Sequence, residues 1–281
     1  MVKNRQGIVE LGFAAPAGMP GGIEVLDLDR VRGRVGGGPQ RPTFHHLLSL
    51  RAGTLRHTVD FAAVMLTPGR WLWVRPGQVQ QWGDPGTAEG TLVLFEPDFL
   101  DPATAAAVHL DDPHAAVVHD PAPSEQAALV DSVTHLDRVF TGPGRMPIEV
   151  RQAILRHLLS VLLLQLAPTG GGPHGGDTFL RFRDAVERDF NRNRRLEDYA
   201  HRLGYSARTL SRATQAAAGV NAKDYIDRRV VLEAKRLLAH SEHTAAQIAA
   251  RLGFTSATNF SKYFHQRTGV TPIMFRGTVR P

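Results

Sequence analysis

The 281-residue sequence has no cysteine, which excludes disulfide frameworks, thiolate zinc sites and cysteine nucleophiles together. It also has no long hydrophobic run. The longest apolar stretch, LLSVLLLQLA at 158–167, is about half of the roughly 20 residues needed to cross a bilayer. The opening MVKNRQGIVELGF lacks the apolar centre of a secretory signal, so no membrane partner is expected and a cytoplasmic location is. Neither a GxSxG elbow, nor a phosphate-cradling loop, nor an HExxH helix occurs. No catalytic residue, no cofactor and no metal is therefore expected.

With 42% apolar and 21% charged residues, the chain has ordinary globular composition and enough length for two domains. Its charge is unevenly placed. Residues 177–281 hold 19 Lys+Arg against 10 Asp+Glu, whereas residues 1–176 hold 14 against 17. A positive field confined to one segment favours phosphate backbones and suggests a dedicated nucleic-acid module. The glycine-dense stretch PTGGGPHGGD, 168–177, maximises backbone freedom and is expected to be a linker. The expected domains are therefore 1–167 and 178–281.

Ahead of the linker, Thr43–Leu50, Thr58–Leu66, Trp71–Val74 and Thr91–Phe95 are short β-favouring runs separated by turn signals such as PGR and DPG. Helical patterns follow at Ser124–Phe140 and Ile148–Leu166. The second is apolar enough to be either a homodimer interface or a helix buried against its own domain. Beyond the linker the pattern is helical throughout.

An internal repeat organises that last third. Ala200, Leu203, Gly204 and Tyr205 recur 49 residues later as Ala249, Leu252, Gly253 and Phe254; Leu210, Ser211, Arg212, Gly219 and Val220 recur 50 residues later as Phe260, Ser261, Lys262, Gly269 and Val270. Each unit reads as helix, tight turn, helix. A small residue where the helices meet, a glycine able to take positive φ in the turn and an apolar anchor on the second helix are its steric needs. Ser206 and Ser256 are the expected N-caps, and Gly219 and Gly269 the expected left-handed ends. With Leu210, Ala213 and Ala217 inward, Arg208, Arg212 and Gln215 form the opposite stripe; with Phe260 and Phe264 inward, so do Thr258, Lys262 and His265. Arg and Lys can donate to guanine and Gln can pair with adenine, or the same side chains can serve phosphate. The connecting pattern, Ala222–Ala239, predicts a rod of about 27 Å, compatible with two helices entering successive major-groove segments about 34 Å apart.

The string ARLGFTSATNFSKYFHQRTGVTPIMFR, preceded by RRVVLEAKRLLAHSEHTAAQIA, resembles the carboxyl-terminal signature of the AraC/XylS family of bacterial transcription regulators across roughly residues 178–276. The resemblance implies a seven-helix double helix-turn-helix domain, promoter DNA as partner, and gene activation through RNA polymerase as the usual output. It maps the family's base-reading positions to Arg208, Ser211 and Arg212 and to Thr258, Asn259 and Lys262. The amino-terminal half resembles more loosely the family's cupin-like sensory β-barrel, so the expected fold is multidomain α+β. Metal cupins place a histidine where this chain has Gln80, and the consecutive His45 and His46 would point to opposite faces of a strand.

Trp71, Trp73 and Trp82 are candidates for lining a small-molecule effector pocket, with Arg75, Gln78 and Gln80 at its mouth; ordinary core packing is the alternative. The function expected is that of a ligand-responsive DNA-binding activator. The alternatives are a metal-independent cupin-type enzyme fused to a DNA-binding module, whose turnover would survive deletion of 177–281, and a ligand-independent DNA-binding protein.

Overall fold

The computed structural model describes residues 9–15, 19–32, 38–110, 112, 115–142, 146–167 and 176–279. The chain forms two compact units that divide between Thr169 and Gly170. Most of the expected linker, 168–175, lies outside the described residues.

The first unit runs β1 (Val9–Leu11), β2 (Ile23–Asp27), α1 (Leu28–Val31), β3 (Gln40–Pro42), β4 (His45–Ala52), β5 (Leu55–Val59), β6 (Ala62–Leu66), β7 (Trp71–Val74), β8 (Gln80–Trp82), β9 (Glu89–Phe95), α2 (Pro102–Ala107), β10 (Val118–His119), α3 (Pro123–Thr141) and α4 (Ile148–Leu166). The strands make two five-stranded sheets, ordered β1-β3-β8-β5-β6 and β10-β7-β4-β9-β2. Their facing sides enclose one core, in which Leu48, Leu72, Val74 and Leu92 of the second sheet meet Leu55, Val59, Leu66 and Trp82 of the first.

The other face of the second sheet is covered as well. Leu47, Trp71, Trp73, Val93 and Phe95 pack there with Leu129, Val133 and Leu136 of α3 and Leu155, Leu159, Leu162 and Leu163 of α4. Burial on both sides explains why β4 and β7 have no polar alternation in sequence. The apolar α4 is buried against its own domain along one face, where Leu159 and Leu163 are fully buried, while Val150, Val161 and Leu164 remain 44–48% exposed on another.

One expected strand is two. The run Thr58–Leu66 turns back on itself at Asp60 and Phe61, which take φ of 48° and 70°, and β5 pairs antiparallel with β6 from Leu55↔Leu66 to Val59↔Ala62. No glycine marks this turn. Asp60 holds it through its neighbours: its amide donates to the Val79 carbonyl at 2.7 Å, and its carboxylate accepts from the Val79 amide at 3.1 Å and Gln78 Nε2 at 2.9 Å.

The second unit contains, among the described residues, seven helices: α5 (Asp177–Asp189), α6 (Leu196–Leu203), α7 (Ala207–Ala218), α8 (Ala222–His240), α9 (Ala245–Arg251), α10 (Ala257–Thr268) and α11 (Pro272–Val279). A single apolar core runs from Phe182 and Tyr199 through Leu210, Ile226, Val230 and Leu238 to Ile248, Phe260 and Phe264. The central rod α8 thus packs against both helical pairs, and the expected span Ala222–Ala239 is met to within one residue. No described helix is long and apolar enough to cross a membrane.

Candidate nucleic-acid interface

The two helical pairs are built by the local devices that the repeat demands. Gly204 ends α6 at φ 72°, and Ser206 caps α7 by accepting the Thr209 amide at 3.0 Å. In the second pair Gly253 takes φ 69°, and Ser256 caps α10 by accepting the Asn259 amide at 3.1 Å. Gly219 and Gly269 close α7 and α10 at φ 68° and 76°. Each cap satisfies amide or carbonyl groups that a helix end leaves open.

Such capping fixes which side of each second helix faces out. Leu210 is fully buried and so are Phe260 and Phe264, whereas Arg208, Arg212 and Gln215 on α7 are exposed, as are Thr258, Asn259, Lys262 and His265 on α10. Ser211 is half-buried. Asn259 Nδ2 donates to Thr255 Oγ1 at 2.8 Å, which sets its rotamer at the start of α10. Each second helix therefore carries an exposed polar stripe along its whole length, chemically suited to base edges and phosphates.

The candidate effector residues fall otherwise than as the lining of one pocket. Trp71 and Trp73 belong to the core between the second sheet and α3–α4, while Trp82 belongs to the core between the sheets. The cause is the two-residue period of β7, which sends Trp71 and Trp73 away from Leu72 and Val74. Arg75, Gln78 and Gln80 do not sit at an open mouth either: they are 4%, 6% and 1% exposed. The Arg75 guanidinium lies 4.3 Å over the Trp73 ring and donates to the Ala116 carbonyl at 3.1 Å. Its burial pulls its pKa down to about 10, against the opposing pull of Asp112. Gln78 Oε1 accepts the Arg75 amide at 2.8 Å.

Gln80 has a more specific role. Its Oε1 stands 3.2 Å from His57 Nε2 and its Nε2 3.1 Å from His46 Nδ1. An amide can donate only through nitrogen, so His57 donates with Nε2 and His46 accepts with Nδ1. Burial holds both rings neutral, with pKa values near 4 and 3. His57 Nδ1 is buried and has no hydrogen-bond partner. His45 faces the opposite side, as consecutive strand residues must; its Nδ1 accepts from Trp73 Nε1 at 3.2 Å and its ring stacks on Phe95. Among the described residues no group of three His, Cys, Asp or Glu side chains is disposed to hold a metal ion.

A family model described as a helix-turn-helix domain matches residues 199–278. The transcriptional activator RhaR of Cronobacter sakazakii is 31% identical over 137 residues, covering 45% of this chain and 48% of RhaR. The regulatory protein PocR of Salmonella typhimurium is 34% identical over 97 residues, or 34% of this chain and 31% of PocR. This chain thus spans about half or less of the length of these curated relatives. Among solved structures, ToxT of Vibrio cholerae O395 aligns over 92% of this chain and 97% of its own at 13% identity, with a TM-score of 0.44. The DNA-binding domain of AdpA, solved with a target DNA, aligns over 37% of this chain and 92% of its own at 26% identity, with a TM-score of 0.33. The second unit thus contains a helix-turn-helix domain similar to those of AraC/XylS-type regulators, and the amino-terminal part of the chain is a β-sheet domain with helices.

Proposed function

We propose that the protein is a sequence-specific, DNA-binding transcription activator that reads two successive major-groove segments of promoter DNA. The observation that carries this reading is the pair of capped helices α7 and α10, each anchored by buried Leu210 or Phe260 and each presenting an exposed polar stripe. Arg208, Ser211, Arg212 and Gln215 serve the first segment, and Thr258, Asn259, Lys262 and His265 the second. RNA polymerase is the partner that activation requires. Residues 1–167 are assigned to effector sensing, 168–177 to the linker and 178–281 to DNA reading. A small molecule that favours one arrangement of the sheet unit would shift the population competent for DNA. In the interior of that unit, His57 Nδ1 offers an unused hydrogen-bond acceptor to such an effector. A second copy of the chain is the occupant assigned to the exposed Val150, Val161 and Leu164 face of α4.

Substitution at the two stripes tests the reading directly. Arg212→Ala and Lys262→Ala should each weaken binding to a duplex selected from a random library by roughly tenfold or more, since a good base contact discriminates by about 1–3 kcal/mol. Preference at one or two base positions should relax in each variant. A uniform loss across sequences, with the salt slope shallower by about one, would instead place that side chain on phosphate.

A further inference from the structure

Asp227 stands near the middle of the second unit with 9% of its side chain exposed, and it collects three donors. Lys223 Nζ, one turn earlier on α8, lies at 2.5 Å; Tyr263 Oη and Arg267 Nη2, both on α10, lie at 2.7 and 2.5 Å. Burial alone would raise its pKa, yet these partners hold the carboxyl below the usual carboxylate range. Lys223 Nζ also donates to the Arg194 carbonyl at 3.2 Å, two residues before α6 opens the first helical pair.

Arg194 completes a circuit. Its guanidinium crosses to the turn of the second pair, where Nη1 donates to the Leu252 carbonyl at 2.5 Å and Nη2 to the Gly253 carbonyl at 2.9 Å. The same group lies 3.9 Å over the Phe254 ring. At Gly253 the chain between α5 and α6 approaches the turn of the second pair so closely that a Cβ would stand 2.5 Å from the Asn191 carbonyl oxygen. The chain entering the first pair is therefore bonded to the turn of the second, and the second reading helix is bonded to α8 through one buried carboxylate.

Apolar packing alone would leave the angle between the pairs soft, because dispersion contacts tolerate small slides and rotations. Charge-assisted hydrogen bonds are shorter and directional, and a fully satisfied buried network selects one geometry. We propose that Asp227 and Arg194 are specificity-determining positioning residues: they set the distance and rotational phase at which the two reading helices meet the duplex, so that the spacing between half-sites is itself read. The proposal rests on the two-segment DNA reading above. A duplex turns once in about 10–10.5 base pairs, so one inserted pair rotates the second half-site by roughly 35° about the axis.

The test uses the full chain, a duplex selected from a random library, and the same duplex with one or two base pairs inserted between its half-sites. The wild-type protein should bind the inserted duplexes at least about tenfold more weakly. Asp227→Asn keeps the shape of the side chain but removes the charge that gathers Lys223 and Arg267. It should bind the original duplex about tenfold more weakly while losing less than about twofold on the inserted ones, so the ratio narrows. A merely less stable protein would lose affinity for every duplex in proportion and leave the ratio unchanged, and that result overturns the proposal. Should Asp227→Asn not fold, Tyr263→Phe removes a single hydroxyl from the circuit and is subject to the same criterion. Wild-type protein that binds the selected duplex but ignores the insertions also overturns it. Wild-type protein that prefers no duplex over scrambled DNA removes the DNA reading itself, a distinguishable result.

Discussion

Acidification from pH 6.5 to pH 4 is expected to unfold the sheet unit, with a red shift of tryptophan emission as the readout. All three tryptophans, Trp71, Trp73 and Trp82, are buried there, so the signal reports that unit alone. His45, His46 and His57 are 0%, 6% and 1% exposed. Burial holds their pKa values near 3, 3 and 4, against 6.5 for the free side chain. In the unfolded chain each ring takes a proton near pH 6.5, whereas in the folded chain each remains neutral until well below pH 5. A lowered folded value means that the stability is complete above about pH 6.5 and is lost as pH falls toward the folded values. Each ring removes up to about 1.4 kcal/mol per pH unit across that window, and three together up to about 4. Two units of such a slope remove up to about 8 kcal/mol, which exceeds the net stability of a domain in the lower part of the usual range of about 5–15 kcal/mol. His57→Gln, which cannot titrate, should make the transition shallower. Emission unchanged down to pH 4 would contradict the burial of these rings.

Two adjacent substitutions on α4 should have opposite consequences. Leu163 is fully enclosed between α3 and the second sheet, while Leu164 is 44% exposed. Leu163→Glu forces a carboxyl into apolar surroundings with no donor, by a mechanism that costs about 4 kcal/mol or more. It should give an aggregated or unfolded amino-terminal unit. Leu164→Glu keeps its carboxyl in solvent and should change the stability of the chain far less, by about 0.5 kcal/mol. Light scattering on Leu164→Glu should report a folded monomer where the parent protein is a dimer. A Leu163→Glu protein with an unaltered melting transition would show that α4 is not seated as described.

The carboxyl-terminal unit was legible because its rules are local. A serine two or three residues after a turn glycine, a glycine after the last apolar position and a repeat of nearly constant length each have one steric solution, and Gly204, Ser206, Gly219 and their counterparts adopt it. The sheet unit was less legible because its rules are not local. The turn at Asp60 and Phe61 is held from Gln78 and Val79, some twenty residues away, and nothing in the run Thr58–Leu66 marks it. The tryptophans looked like one set in sequence, yet β7 and β8 deliver them to two different cores. Asp227 passed unnoticed among the apolar positions of α8 because its partners Tyr263 and Arg267 lie 36 and 40 residues downstream. An acidic residue one position after Ile226, on the turn that leads to buried Val230, was the available signal.

Equilibrium binding of the full chain to a duplex recovered from genomic DNA, against a scrambled duplex of equal length and composition, tests the central claim most directly. Phosphate attraction alone would serve both duplexes equally. Paired reading helices predict a preference for the recovered sequence of about a thousandfold or more at physiological salt, with the affinity for both falling steeply as salt rises. Equal affinity for the two duplexes would contradict the account.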